Sequence, residues 1–213
     1  MVYDIDIAKQ VAKSLLQINA IILQPNNHFK WASGWNSPIY CDNRKILSYP
    51  EIRIYIKQGL AAIIKNHYKN ANIIAGVATA GIPHGALVAE ELGLPFIYVR
   101  SKAKKHGKKC QIEGVYEKGQ STILIEDLIS SGMSSIDAAK ILTQAGLKVK
   151  GITSIFTYGF AIATENFNKS NYKYISLCDF NILLEQAIKQ KYIFNEDLDL
   201  IKNWKIDPAN WKK

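Results

Sequence analysis

The sequence predicts an α/β fold, a central parallel sheet flanked by helices, and three features carry that prediction. Apolar, β-rich runs recur from residue 72 onward, at 73–77, 96–99, 122–125, 152–156 and 174–177. Helical patterns lie between and after them, at about 83–92, 134–145, 160–167 and 180–190. The runs are near-continuously apolar instead of alternating, as strands buried on both faces are, and the helices between them supply the crossovers that parallel strands need. A chain of 213 residues suits one domain over 1–213, and no repeat, low-complexity tract or linker divides it.

Ahead of the sheet, Ile5, Ile7, Val11, Leu15 and Leu16 recur at helical spacing and predict an amphipathic helix over 4–18. The segment 29–40 is rich in aromatics, Gly, Ser and Asn and reads on its own as a surface hairpin packed by its tryptophans. Pro50 stands where a helix over 50–66 begins, a position that proline favours. Between Arg100 and Gln120 runs a long polar stretch, Ser101-Lys102-Ala103-Lys104-Lys105-His106-Gly107-Lys108-Lys109 at its start. It is too charged and too long for a tight connector, and such loops inside a domain are usually functional or mobile. Trp204 and Trp211 are expected to pack the C-terminal tail down, and His28, His67 and His84 are isolated and receive no role.

Composition narrows the partners. Lys and Arg number 27 against 18 Asp and Glu, a net charge of +9, so an anionic partner is expected: nucleic acid, an acidic membrane surface or a phosphorylated metabolite. Cys41, Cys110 and Cys178 form no CxxC pair or Cys/His cluster, which argues against structural zinc and for a reducing cytosol. Met1-Val2-Tyr3-Asp4-Ile5-Asp6 is unlike a signal peptide, and no run of about 18 apolar residues appears. A cytoplasmic protein with no membrane segment is expected.

The chemistry concentrates in Thr122-Ile123-Leu124-Ile125-Glu126-Asp127-Leu128-Ile129-Ser130-Ser131-Gly132-Met133-Ser134-Ser135. A buried strand delivers two adjacent carboxylates to its C-terminal end, and a small-residue turn then opens into a helix. Ligands of open α/β sheets bind outside the carboxyl ends of the strands. The amides of a Ser/Gly turn at a helix N-terminus cradle a phosphate. Acids beside that cradle repel a phosphate but suit hydroxyls or a metal, and the combination describes a ribose 5-phosphate. No GxxxxGK[ST] is present and no GxGxxG follows a strand, so ATPase and dinucleotide readings lose support. Ala78-Thr79-Ala80-Gly81-Ile82-Pro83, at the end of the run 73–77, offers small residues and backbone amides suited to a pyrophosphate.

The fourteen residues 122–135 resemble the phosphoribosyl pyrophosphate signature of type I phosphoribosyltransferases, with Met133 a mild departure at a free position. Two flanks resemble the orotate phosphoribosyltransferases in particular. Tyr98-Val99-Arg100-Ser101-Lys102-Ala103-Lys104-Lys105-His106-Gly107 is similar to their catalytic loop. Phe29 to Arg44, with Ser33-Gly34, Ser37-Pro38-Ile39-Tyr40 and Asp42-Asn43-Arg44, is similar to their orotate-side segment. The resemblance implies a type I phosphoribosyltransferase fold with a small N-terminal hood over about 1–45, a core over about 70–180 and a mobile catalytic loop over 101–119. It implies transfer of a phosphoribosyl group to orotate, giving orotidine 5′-monophosphate and pyrophosphate in pyrimidine (UMP) biosynthesis.

The same resemblance implies magnesium, held mainly by the substrate, and a homodimer with shared active sites. Arg100, Lys104 and His106 are the implied catalytic residues. Phosphoribosyl pyrophosphate would meet these three and Glu126, Asp127, Leu128, Ile129, Ser130, Ser131, Gly132, Met133, Ser134, Thr79 and Ala80; orotate would meet Ser130 and Tyr40. A cis peptide is implied between Ala78 and Ala80, at Ala78–Thr79. Some members carry Lys at the place of Ala80, and Lys and an aromatic at the places of Ala32 and Cys41, so those contacts are not carried over. Cations aimed at the leaving pyrophosphate make chemical sense independently, because they stabilise charge that develops in the transition state. Two alternatives remain: transfer to another base, and a nucleic-acid-binding regulator that senses phosphoribosyl pyrophosphate. Residues 29–44 argue against the first; the second would need a DNA-binding pattern, and no helix-turn-helix precedes the core. A second, decarboxylating activity is not expected, since a barrel needs about 250 residues of its own.

Overall fold

The computed structural model describes residues 1–31, 34–101 and 111–211. Helix α1 (Ile5–Gln17) begins where the Asp4 carboxylate accepts hydrogen bonds from the amides of Asp6 and Ile7. Four short strands follow: β1 (Ile21–Leu23), β2 (Phe29–Lys30), β3 (Asn36–Ser37) and β4 (Ile39–Cys41). β1 pairs with β4 and β2 with β3, both antiparallel, so the aromatic segment is indeed a hairpin. A 3-10 turn over Asn43–Ser48 leads to α2 (Pro50–His67), with the proline in the first turn as predicted.

The main sheet and its covering helices then alternate: β5 (Ile73–Val77), α3 (Gly81–Leu92), β6 (Phe96–Val99), β7 (Ile112–Glu113), β8 (Ser121–Ile129), α4 (Met133–Gln144), β9 (Lys148–Thr157), α5 (Ala161–Ser170), β10 (Tyr174–Asp179), α6 (Phe180–Lys189) and α7 (Leu198–Ile206). Its order is β10-β9-β8-β5-β6-β7, parallel throughout except that β7 runs against β6. One apolar cluster lies under α1, α2, α3, α6 and α7, and another under α4 and α5. Central β8 buries Ile123, Leu124 and Ile125 completely, worth about 1.5–3 kcal/mol for each side chain.

Three expectations are corrected. The strand predicted over 122–125 runs on to Ile129, so Glu126 and Asp127 lie inside it and not beyond its end. The two acids differ in burial, Glu126 being buried and Asp127 half-buried. The loop expected over 101–119 is anchored at its far end, where Ile112 is buried in β7 and Tyr116 packs on the core. Lastly, α1, expected within a hood over about 1–45, packs mainly against β10 and α6. No helix among the described residues is long and apolar enough to cross a membrane.

Candidate active site

Gly81 sets how closely α3 approaches the central strand: a Cβ there would lie 2.4 Å from the Ile125 carbonyl oxygen. That contact brings Ala78, Thr79 and Ala80 beside the acids of β8. The Ala78–Thr79 peptide bond is cis, at the bond the sequence comparison indicated. Together with Asp42, Arg44, Leu128, Ser130 and Ser134 these residues line a cavity of about 330 Å³ at the carboxyl end of the sheet.

Glu126 and Asp127 divide the work between them. Glu126 is 5% exposed. Its Oε2 accepts the hydroxyls of Ser134 (3.2 Å) and Ser135 (3.1 Å), and its Oε1 accepts the Asp127 amide (3.2 Å). It thus ties β8 to the first turn of α4, and the Ser134 hydroxyl is spent on it. Burial first, and then the charge of Asp127, push the Glu126 carboxyl well above the usual carboxylate range. Burial also raises Asp127, against hydrogen bonds from its own amide and that of Leu128 and the nearby Arg44. Asp127 is the more exposed of the two, and Asp42, also in the lining, is held below the usual carboxylate range by its hydrogen bond with Arg44. Its carbonyl accepts the Asn43 side-chain amide at 2.8 Å, a link from the 3-10 turn that the sequence reading missed.

The turn after β8 leads directly into α4. Gly132 precedes α4 with φ +78°, and a Cβ on it would lie 2.5 Å from the Phe167 ring. Asn166 braces the turn by donating to the Ser131 carbonyl at 3.0 Å. Ile129 is a core residue: its side chain is buried and its carbonyl accepts from the Tyr158 amide and the Thr157 hydroxyl. Met133 is exposed and lies outside the cavity lining.

A second cavity, of about 360 Å³, adjoins the first and shares Cys41, Leu128 and Ser130 with it. Lys30, Trp31, Tyr40 and Tyr158 complete its wall. Tyr40 is 37% exposed, a cavity residue and not a core one, and its ring leans on Phe29 at 5.6 Å. Trp31 donates from Nε1 to the Ile39 carbonyl at 3.0 Å, which fixes its ring beside Tyr158, 5.3 Å away. Tyr158 follows β9, and residues beyond strand carboxyl ends are where α/β sheets bind ligands; that rule was the available signal for it. The Cys41 thiol is pushed well above its ordinary range by burial and then by Asp127 and Asp42.

Arg100 follows β6 and lines a smaller recess with Ala78 and Ser134. Its guanidinium meets the Glu113 carboxylate at 3.3 Å. Lys104 and His106 lie outside the described residues.

His84 of α3 is buried, its Nε2 has no partner among the described residues, and burial lowers its pKa to about 4. An unfolded imidazole binds its proton near pH 6.5, so between these values the folded chain binds fewer protons and loses stability as pH falls. We expect about 3 kcal/mol less stability near pH 4 than near pH 7 from this group. Denaturant titrations at both pH values should show a flatter dependence for His84→Gln; an unchanged dependence would place the acid sensitivity elsewhere.

Comparison with known proteins agrees with this arrangement. The phosphoribosyl transferase domain family matches residues 44–182. An orotate phosphoribosyltransferase of Listeria monocytogenes serotype 4b is 49% identical over 207 residues, covering 97% of this chain and 99% of its own. One from Cytophaga hutchinsonii is 48% identical over 205 residues, covering 96% and 98%. Among solved structures, orotate phosphoribosyltransferase from Aeropyrum pernix superposes with a TM-score of 0.75 at 26% identity, over 83% of this chain and 97% of that one. With two adjoining cavities at the carboxyl end of the sheet and full-length relatives of this kind, the chain belongs to the orotate phosphoribosyltransferases.

Proposed function

We propose that this chain transfers the phosphoribosyl group of phosphoribosyl pyrophosphate to orotate, releasing pyrophosphate and orotidine 5′-monophosphate, with the sugar phosphate in the cavity of Asp127 and the base in that of Tyr40. The observation that carries the assignment is the shared wall of Cys41, Leu128 and Ser130, since a reaction joining two ligands needs their cavities to adjoin. The amides of 130–134 hold the 5-phosphate at the N-terminus of α4. Asp127 takes the ribose hydroxyls, while Glu126 positions the turn through Ser134 and Ser135. Thr79 and Ala80 face the pyrophosphate, and Tyr40 and Ser130 face the base.

The donor set fits a magnesium ion brought on the diphosphate, because Glu126 is engaged by three donors and leaves Asp127 as the available carboxylate. When bound, the ion neutralises charge on the leaving pyrophosphate. The enzyme works in the cytoplasm as a homodimer, and Arg100, Lys104 and His106 act on the pyrophosphate of the partner's site. Mixed Lys104→Ala and Asp127→Ala subunits are expected to regain activity under subunit exchange; no recovery despite proven exchange would confine the loop to its own subunit.

Orotate absorbance should fall only when phosphoribosyl pyrophosphate and magnesium are both present. Turnover of adenine, hypoxanthine or uracil in place of orotate would overturn the reading. Gly132→Ala should raise KM for phosphoribosyl pyrophosphate about tenfold and destabilise the fold by about 2–3 kcal/mol, through a left-handed backbone and the clash with Phe167. A normal KM in that variant would remove the turn from phosphate binding.

A further inference from the structure

A third cavity lies at the opposite, amino end of the sheet. It has about 380 Å³ and is walled by Met1, by His67 and Tyr68 at the end of α2, by Phe167 of α5, and by Tyr172, Lys173 and Tyr174 at the start of β10. This volume suits one small ligand. Its walls are ring-rich: Phe167 and Tyr174 pack at 4.4 Å between centroids, and Tyr68 lies over Gly151, where any Cβ would be 2.3 Å from the ring. The Tyr68 hydroxyl is buried without a hydrogen-bond partner among the described residues, whereas that of Tyr172 is bonded to Thr143 at 3.1 Å. None of the lining residues is acidic. Lys173 is exposed at the rim and forms no ion pair among the described residues. Ring-rich walls, two cationic groups (the Lys173 ammonium and the Met1 terminal ammonium) and no carboxylate among the lining residues fit a planar ring bearing a negative charge.

The same wall reaches the phosphate turn. Phe167 lines this cavity with one part of its surface and fills the space beside Gly132 with another. The preceding residue, Asn166, holds the Ser131 carbonyl. Helix α5 therefore has one flank in the cavity and the other on the turn. We propose that this cavity is a second binding site, for a small planar aromatic anion, and that its occupancy is coupled through Phe167 to sugar-phosphate binding at 130–134.

Calorimetric titration of the intact enzyme with 2-naphthoate, and with uncharged 2-naphthol, tests this. Naphthoate is expected to saturate one site per chain and to bind about tenfold more tightly than naphthol, and Lys173→Glu should remove that advantage. Saturation should shift KM for phosphoribosyl pyrophosphate about fivefold or more. Phe167→Leu should retain naphthoate binding while abolishing the shift. Lys173→Glu without naphthoate should retain full activity, which separates failure of this site from failure of the enzyme. Equal binding of naphthol, displacement of naphthoate by orotate, or unchanged affinity in Lys173→Glu would each overturn the site. Binding with no change in KM would overturn the coupling.

Discussion

Asp127→Asn is expected to lower kcat/KM by about a hundredfold or more while the melting temperature stays level or rises. The substitution preserves shape and leaves two backbone bonds untouched: the amide to Glu126 at 3.2 Å and the carbonyl from Asn43 at 2.8 Å. What it removes is the negative charge beside the sugar, where departure of pyrophosphate leaves an oxocarbenium-like centre. An interaction that strengthens as charge develops acts on the transition state more than on the bound substrate. Folding responds oppositely, because the Asp127 charge is one of the causes that raise the buried Glu126 carboxyl. Relieving that repulsion offsets the weakening of the Glu126–Asp127 side-chain hydrogen bond. Steady-state kinetics beside thermal melts check both halves; activity within threefold of the parent would show that Asp127 does not face the sugar.

Trp204→Ala should destabilise the protein by about 3–5 kcal/mol, lowering the melting temperature by about 10 °C. Trp204 is fully buried and sits among four rings: Trp31 at 5.6 Å, Tyr158 at 5.7 Å, Phe160 at 5.4 Å and Phe180 at 5.8 Å. Two of these, Trp31 and Tyr158, line the cavity of Tyr40, where the base is proposed to bind. The void would loosen both, so KM for orotate should rise more than KM for phosphoribosyl pyrophosphate. Trp204→Phe separates packing from polarity. It fills most of the space and discards an indole N–H that has no partner among the described residues, so it should stay within about 1.5 kcal/mol of the parent. Equal rises of both KM values in the alanine variant would show that the C-terminal helix does not support the base cavity in particular.

Much of this protein was determined by its sequence alone. Continuous apolar runs place the five parallel strands, because a strand covered on both faces tolerates few polar residues. Small residues after β5 and β8 mark the two loops that line the cavity of Asp127, since backbone can approach a ligand there without side chains in the way. Other features were decided only by the tertiary structure. Ile112–Glu113 is too short to show a period and is a strand through its pairing with β6. Helix α7 is nine residues long and buries only Ile201 and Trp204, a signal too short to show a period before the ring cluster around Trp204 exists. The acids of β8 were legible as a pair, but their separate placements were not. Those follow from β8 continuing to Ile129 beside β9, with Glu126 opposite Ser154 and Ile129 opposite Thr157. Hydrogen bonding to a neighbouring strand sets where β8 ends; both acids line the cavity, and the packing of α4 engages Glu126 with Ser134 and Ser135 and leaves Asp127 the more exposed of the two.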